Sequence, residues 1–557
     1  MRAVNVTIHN FRSILHQSIS LSPYGLLVGE NNTGKSNAVD AIRAFYEKGL
    51  KYDEGRDFPK VQTDGPESWI EIDFKPTDAE FAELKEEYRL AGGTFRVRKY
   101  FQTAEKDAEG KAKAGIYAYV GGALSDSRFY GFTNVGQGKF GDVIHIPAVS
   151  RLDDHTKLTG PSALRDLVSN VLKRVLSESP AYRDLRASFE SFEGSIKTER
   201  TDEGFSLESI ERDITTEIVQ WGTSFRLTVN PVGLDDLVKN LIGHEILDGA
   251  LGQPQPTSAY GQGFQRSLIF TLIRVAAKYS TPKPKPGKKD FSPSLTWVLF
   301  EEPEAFLHPG QIDTLNADLR KLATDDCAQV LLTTHNPQFV SKNIEDLPGL
   351  ARMRRADGKT QVGQISPADL AAIVTQNQAD LPAWQAAGVP VNVDDLTVDM
   401  ESVKYILWLD PRRCGAFFAE RVLLVEGPTE VALVNYMLDQ GVLTRPKGSF
   451  FVLDTVGKFN MHRFMNLLGK LGIRHYVLHD LDNGRLQVVD QTIQNSKNTF
   501  TAGIDTFADD LEGFLGIAKT DKPHRKPQHV MYQVVQGNVS ANAMNNLRTK
   551  ISALLAL

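Results

Sequence analysis

The segment Gly29-Glu30-Asn31-Asn32-Thr33-Gly34-Lys35-Ser36 constrains this chain more than any other, because it satisfies G-x-x-x-x-G-K-[ST] between two elements of different period. Before it, Val4, Val6 and Ile8 alternate and Leu26 to Val28 form an apolar run. After it, Val39, Ile42 and Phe45 recur at helical steps. Strand, glycine-bearing turn and helix in that order make a βα unit, so an α/β fold is expected. Gly29 and Gly34 let the backbone around Asn31, Asn32 and Thr33 wrap phosphates with its N–H groups. Lys35 adds a point charge for the outer phosphates, and Ser36 offers a hydroxyl to magnesium.

Two more pieces extend the nucleotide site. Val298-Leu299-Phe300 is an apolar strand delivering Glu301 and Glu302. Glu301 is expected to hold magnesium, directly or through water, and Glu302 to orient or deprotonate an attacking water. His335, closing the run Leu331-Leu332-Thr333-Thr334, is expected to donate a hydrogen bond to the terminal phosphate.

At 557 residues the chain is long enough for several cored domains. Its 41% hydrophobic and 24% charged residues exclude disorder and a fibrous protein. There is no apolar run of bilayer-spanning length, and the opening MRAVNVTIHNFRS lacks the apolar block of a secretory signal, so a cytoplasmic protein without membrane contact is expected. Cys327 and Cys414, the only cysteines, support neither a disulfide framework nor a thiolate zinc site. A net charge of -6 leaves any nucleic-acid contact to local basic patches or metal ions.

Along the chain, short strands are expected at 69–74, 95–100 and 143–146, with 101–142 left unassigned. From Pro161 the period becomes helical, through Leu164 to Leu176 and again through Leu207 to Trp221. These apolar faces fit a partner subunit or the chain itself equally well. A strand at 225–229, a helix at 264–277, a Pro- and Lys-rich exposed loop at 281–290 and two buried parallel strands at 296–300 and 329–333 follow. The resulting division is 1–160, a helical insert at 161–222, 223–364, a connecting stretch at 365–418, and a new βα pattern at 419–557.

The order IxNFRS (Ile8 to Ser13), phosphate loop, Gly261-Gln262-Gly263-Phe264-Gln265-Arg266, EEPEAFLHP (Glu301 to Pro309) and TTHNP resembles the ABC-type ATPase heads of the SMC and RecF kind. The resemblance implies ATP as the nucleotide, with Ser258, Gly261 and Gly263 acting on the nucleotide of an opposing subunit and Arg12 approaching the nucleotide. The glycine-rich signature departs from the usual LSGGQ. No long heptad array intervenes, which excludes an SMC-length arm.

In the last third, Val422-Leu-Leu-Val425 ends in Glu426, and Gly427-Pro428-Thr429 leads to Glu430 at a helix start. Tyr476-Val-Leu-His479 ends in Asp480, with Asp482 two residues on, and Asp509, Asp510 and Glu512 lie further down. On an extended chain the i, i+2 spacing turns Asp480 and Asp482 to one face, while His479 faces away. Carboxylates gathered at strand ends need a hard cation, so Mg²⁺ or Mn²⁺ is expected, and two such ions suit phosphodiester cleavage. VEGPTE followed by DLD resembles the TOPRIM domain, and TOPRIM behind an ABC-type head resembles the OLD family of nucleases, which reaches into the Gabija anti-phage system. That resemblance implies a DNA endonuclease in phage defence, assembled as a dimer or tetramer and sometimes working with a helicase subunit. It implies metal ligands at Glu426, Glu430, Asp480, Asp482, Asp510 and Glu512, and a phosphate-steadying lysine, here Lys526 with Lys522 as substitute. The rival readings are a RecF-type DNA-repair clamp and a nucleotide-sensing scaffold subunit.

Overall fold

The computed structural model describes residues 1–47, 49–106, 115–131, 140–148, 179–227, 244–279, 295–324, 328–392 and 397–556, with isolated positions between them. It separates into two compact units, residues 1–148 with 284–557, and residues 149–283.

The larger unit contains three sheets. In the first, Ile14–Ser20, Arg2–Phe11, Ser68–Lys75, Phe95–Gln102, Gly115–Val120 and Ala123–Arg128 lie in that antiparallel order. The alternation seen at Val6 and Ile8 sends these side chains into the core, both fully buried. The last two strands fall in the stretch the sequence left unassigned.

The second sheet runs Lys359–Gln364, Leu350–Ala356, Tyr24–Val28, Ala328–Thr333, Thr296–Glu301, Asp142–Ile146, parallel except at the Lys359–Gln364 edge. Leu26 to Val28, Val298 to Phe300 and Val330 to Leu332 are all buried, as strands covered on both faces require. Parallel pairing brings the carboxyl ends of Tyr24–Val28, Ala328–Thr333 and Thr296–Glu301 to one edge, so the loop after Val28, Glu301 and the TTH turn converge there.

The third sheet is all parallel: Phe450–Asp454, Arg421–Val425, Arg474–Asp480, Thr501–Phe507. Its core joins Leu423, Val425, Tyr476 and Leu478 to the helices Pro428–Asp439 and Ala541–Leu555. The connecting stretch expected at 365–418 is helical with a core role, through Pro367–Ala379, Leu381–Ala386, Val398–Trp408 and the short turns Pro411–Cys414 and Gly415–Phe418. Buried Asn377 and Glu401 interrupt their apolar period, which is why the pattern reads as weak.

In the smaller unit, Leu207–Ile218 and the turn Val219–Trp221 form the second expected helical stretch. The strand expected at 225–229 is not formed over residues 225–227, and 228–229 lie outside the described residues. Also outside them are Cys327, the loop 281–290 and, apart from isolated helical positions, the stretch 164–176.

One buried group ties this fold to pH. His475 is fully buried, with Nδ1 2.9 Å from the Ile473 carbonyl and Nε2 2.8 Å from Thr501 Oγ1, and burial pushes its pKa down to about 4. A histidine neutral in the fold but free to charge when unfolded contributes fully above about pH 6.5. That contribution is lost as pH falls toward 4. Chemical denaturation at pH 7.5 and pH 5.0 should therefore show a drop about 2 kcal/mol smaller in His475→Gln than in the parent chain.

Candidate functional sites

The phosphate loop leaves Val28 through Gly29 at φ 137° and enters the helix Lys35–Tyr46 through Gly34 at φ 104°. A Cβ on Gly29 would stand 2.1 Å from the Met353 carbonyl oxygen, and one on Gly34 would stand 2.3 Å from Thr360 Oγ1. Neither position tolerates a side chain, so Gly34→Ala is expected to cost about 2 kcal/mol or more of stability and to distort the loop. Urea unfolding and nucleotide titration of the variant check both effects.

Asn31 and Asn32 are exposed at the loop tip, and Thr33 is buried with Oγ1 donating to the Glu30 carbonyl at 2.8 Å. Lys35 Nζ donates to the carbonyls of Gly29 and Glu30 at 2.9 and 2.7 Å, and burial pushes its pKa down to about 8. Ser36 Oγ donates to Glu301 Oε2 at 2.6 Å, while Glu301 Oε1 lies 2.8 Å from His145 Nε2. Burial pushes the Glu301 carboxyl up, but the hydrogen bonds from His145 and Ser36 prevail and hold it below its ordinary range. Glu302 turns out of the strand at φ 45°, with its carboxylate 3.8 Å from His335 Nε2.

Arg12 pairs with Asp57 at 2.9 Å and with Asp40 at 2.7 Å, and also donates to Asn37 Oδ1, so its guanidinium lies beside the helix that follows the loop. Ser258 sits in the turn Thr257–Ala259, and Gly261 and Gly263 flank the first residue of the helix Gln262–Tyr279, all within the smaller unit.

At the carboxyl edge of the third sheet, Glu426 follows the strand Arg421–Val425 and its Oε1 accepts from the Asp480 backbone N–H at 2.7 Å. Glu430 folds back so that Oε2 accepts from Gly427 N–H at 3.0 Å. Asp480 is the last residue of its strand. Asp482 reaches the site differently from the pleat expected of an extended chain, because the strand has ended and Asp482 sits at φ 52° in a turn anchored by its N–H on the Asp509 carbonyl. Lys526 Nζ stands 2.9 Å from Glu512 and 3.9 Å from Asp480. Lys522 instead lines a cavity with Arg525, His529 and Tyr532. Asp510 caps the helix Leu511–Leu515 and pairs with Lys519.

Burial pushes the Glu426 and Glu430 carboxyls up to about 7, and nearby carboxylates push the same way. Asp480, 5% exposed, is pushed up to about 8 by burial and by Glu426. Burial and mutual repulsion outweigh the neighbouring lysines at Glu426, Glu430 and Asp480, and the hard oxygens of these carboxylates suit Mg²⁺ or Mn²⁺. As the side chains stand, no group of three or more His, Cys, Asp or Glu among the described residues is arranged to hold a metal ion. The reason is visible in the pairing: Lys526, Lys519 and Lys458 occupy oxygens that a cation would take.

A family model described as "Overcoming lysogenization defect protein-like, TOPRIM domain" matches residues 417–482, one described as "AAA ATPase domain" matches residues 1–122, and a further AAA domain model matches 159–341. The chain carries an OLD-like TOPRIM domain behind AAA ATPase domains. It is 25% identical to the Old nuclease of Escherichia phage P2 over 86% of this chain and 77% of that one. It is 23% identical to the Endonuclease GajA of Bacillus cereus (strain VD045) over 86% of this chain and 75% of that one. Among solved structures, the SMC head domain from Thermotoga maritima aligns with 66% of this chain at 15% identity and a TM-score of 0.30.

The TOPRIM domain holds a residue that the motifs did not reveal. Lys458, 3% exposed, donates to the Asp480 carbonyl and pairs with Asp482 at 3.1 Å and with Asp490 at 2.7 Å. His479 is buried, with Nδ1 3.1 Å from the Asp480 carbonyl and 3.5 Å from Asp490. In the ATPase domain the overlooked groups are His145 on Glu301 and Glu304, whose Oε1 accepts from the His335 N–H at 2.7 Å. Lys458 and His145 lie outside any recognisable spacing. Glu304 is the third acid of EEPEAFLHP.

Proposed function

We propose that this chain is an ATP-binding, divalent-metal-dependent DNA endonuclease whose TOPRIM domain cuts phosphodiester bonds under the control of its ATPase domain, in defence against phage. The observation that carries the proposal is the gathering of Glu430, Asp480 and Glu512 around Lys526, with Glu426 accepting from the Asp480 N–H beside them and with Asp480 and Glu430 almost wholly buried. A domain that only docked partners would have no need of so many desolvated carboxylates. The names and extent of the relatives support the same reading.

Glu426, Glu430, Asp480, Asp482, Asp510 and Glu512 would hold the metal or support its ligands. A divalent metal held there would supply the Lewis-acid chemistry that phosphodiester hydrolysis needs. Lys526 steadies the scissile phosphate, and Lys458 fixes the turn that presents Asp482. In the ATPase domain Lys35 exchanges the carbonyls of Gly29 and Glu30 for phosphate oxygens, Ser36 and Glu301 bind magnesium, and Glu302 with His335 flanks the terminal phosphate. Homodimerisation through the smaller unit is supported by exposed Trp221 and Val219, 69% and 63% accessible.

The test is incubation of the purified chain with supercoiled and linear DNA under Mg²⁺ or Mn²⁺, with and without ATP. Asp480→Ala is expected to abolish cleavage and leave nucleotide binding intact. Cleavage surviving in that variant contradicts the assignment.

A further inference from the structure

At the amino-terminal ends of the TOPRIM strands, opposite the carboxylates, lies a cavity of about 440 Å³ lined by Arg352, Arg354, Arg355, Arg421 and Arg474. Arg474 and Asp480 open and close one strand, so about 20 Å separates this cavity from the cutting centre. We propose that it is a second phosphate-recognition site, taking a nucleotide unit either of a nucleic-acid strand or free in solution.

Four observations carry this. Arg354, Arg355, Arg421 and Arg474 form no ion pair among the described residues, so their charge is uncompensated in a chain whose net charge is -6. Glu420 is the one acid in the lining and faces Arg352 and Arg421, so five guanidiniums share a single carboxylate there. Arg352 is 3% exposed and anchors the floor, donating to the carbonyls of Ala419 at 2.7 Å and Gly472 at 3.3 Å, while its Nε has no partner. Guanidinium forks on a half-open wall match phosphate oxygens two at a time.

Size and an aromatic wall narrow the ligand. The volume falls within the range of pockets that hold nucleotide-sized molecules. Phe500, half-buried in the lining, has the Arg354 guanidinium 5.9 Å from its ring centroid, a pairing on which a base can stack.

The test uses the full chain carrying Lys35→Ala, which removes the phosphate-loop lysine, with and without Arg354→Ala/Arg474→Ala. Fluorescent oligothymidylate and a fluorescent nucleoside triphosphate are titrated separately. At least one should bind about tenfold or more weakly once the arginines are gone, and Arg354→Lys/Arg474→Lys should restore part of the loss, charge without the fork. Loss confined to the oligonucleotide, with its salt slope reduced by about two, identifies a strand as the ligand. Loss confined to the triphosphate identifies a free nucleotide. Equal binding of both probes with and without the arginines, or no binding of either, overturns the proposal.

Discussion

Asp480→Asn is expected to lower metal-dependent DNA cleavage by about 10³-fold or more and, in EDTA, to raise the melting temperature. The two effects have one cause. Asp480 is buried against Glu426, with Glu430, Asp482 and Asp510 near enough to be felt, and without a cation that arrangement opposes folding. An amide keeps the shape and removes the charge. Relief of even 1 kcal/mol should shift the transition up by about 2 °C or more, visible by differential scanning fluorimetry. Added Mg²⁺ or Mn²⁺ should stabilise the parent chain and leave the variant unmoved, since only the parent gains a ligand on folding. A variant that melts lower in EDTA and still gains from metal would show that Asp480 is not part of a charge-strained site.

Glu401→Ala should produce the largest loss of stability, about 3–5 kcal/mol, although Glu401 lies outside every motif. Its carboxylate is completely buried and holds Arg463 at two points, Nε to Oε1 at 2.7 Å and Nη2 to Oε2 at 3.0 Å, while Asn377 donates to Oε1 at 3.0 Å. Deleting the acid strands a guanidinium that is 2% exposed. Replacing both partners, as Glu401→Met/Arg463→Met, removes the fully buried guanidinium along with the acid, leaving only the partly exposed Lys404, 3.8 Å from Glu401, without that partner, and should recover most of the loss. Urea unfolding of the three chains measures this, and a double variant no better than Glu401→Ala would mean that the pair is held for some reason other than mutual compensation.

How much of this was legible in the sequence depended on whether a residue's role was local. The phosphate loop, the strand delivering Glu301 and the run ending in Glu426 each need only their own neighbours, and each stands where the motif put it. Nothing local separates Lys526 from Lys522, and only the fold puts Lys526 beside Asp480 and Glu512. What stayed hidden was made by pairing across the chain: His145 reaches Glu301 across 156 residues, and Glu401 reaches Arg463 across 62. Buried polar residues also disguised structure, since Asn377 and Glu401 break the apolar period of the helices between the two domains. Asp482 lies past the end of its strand, and i, i+2 spacing carries no information on where a strand stops.

The most direct measurement is a Mn²⁺ titration of the nucleotide-free chain, followed by electron paramagnetic resonance of the unbound ion. Without nucleotide, tight binding should arise only from the TOPRIM carboxylates. The parent chain is expected to take up Mn²⁺ stoichiometrically, and Glu426→Gln/Asp480→Asn to lose that uptake while remaining folded. The same uptake in both chains, or none in the parent, would contradict a metal-dependent centre at these residues.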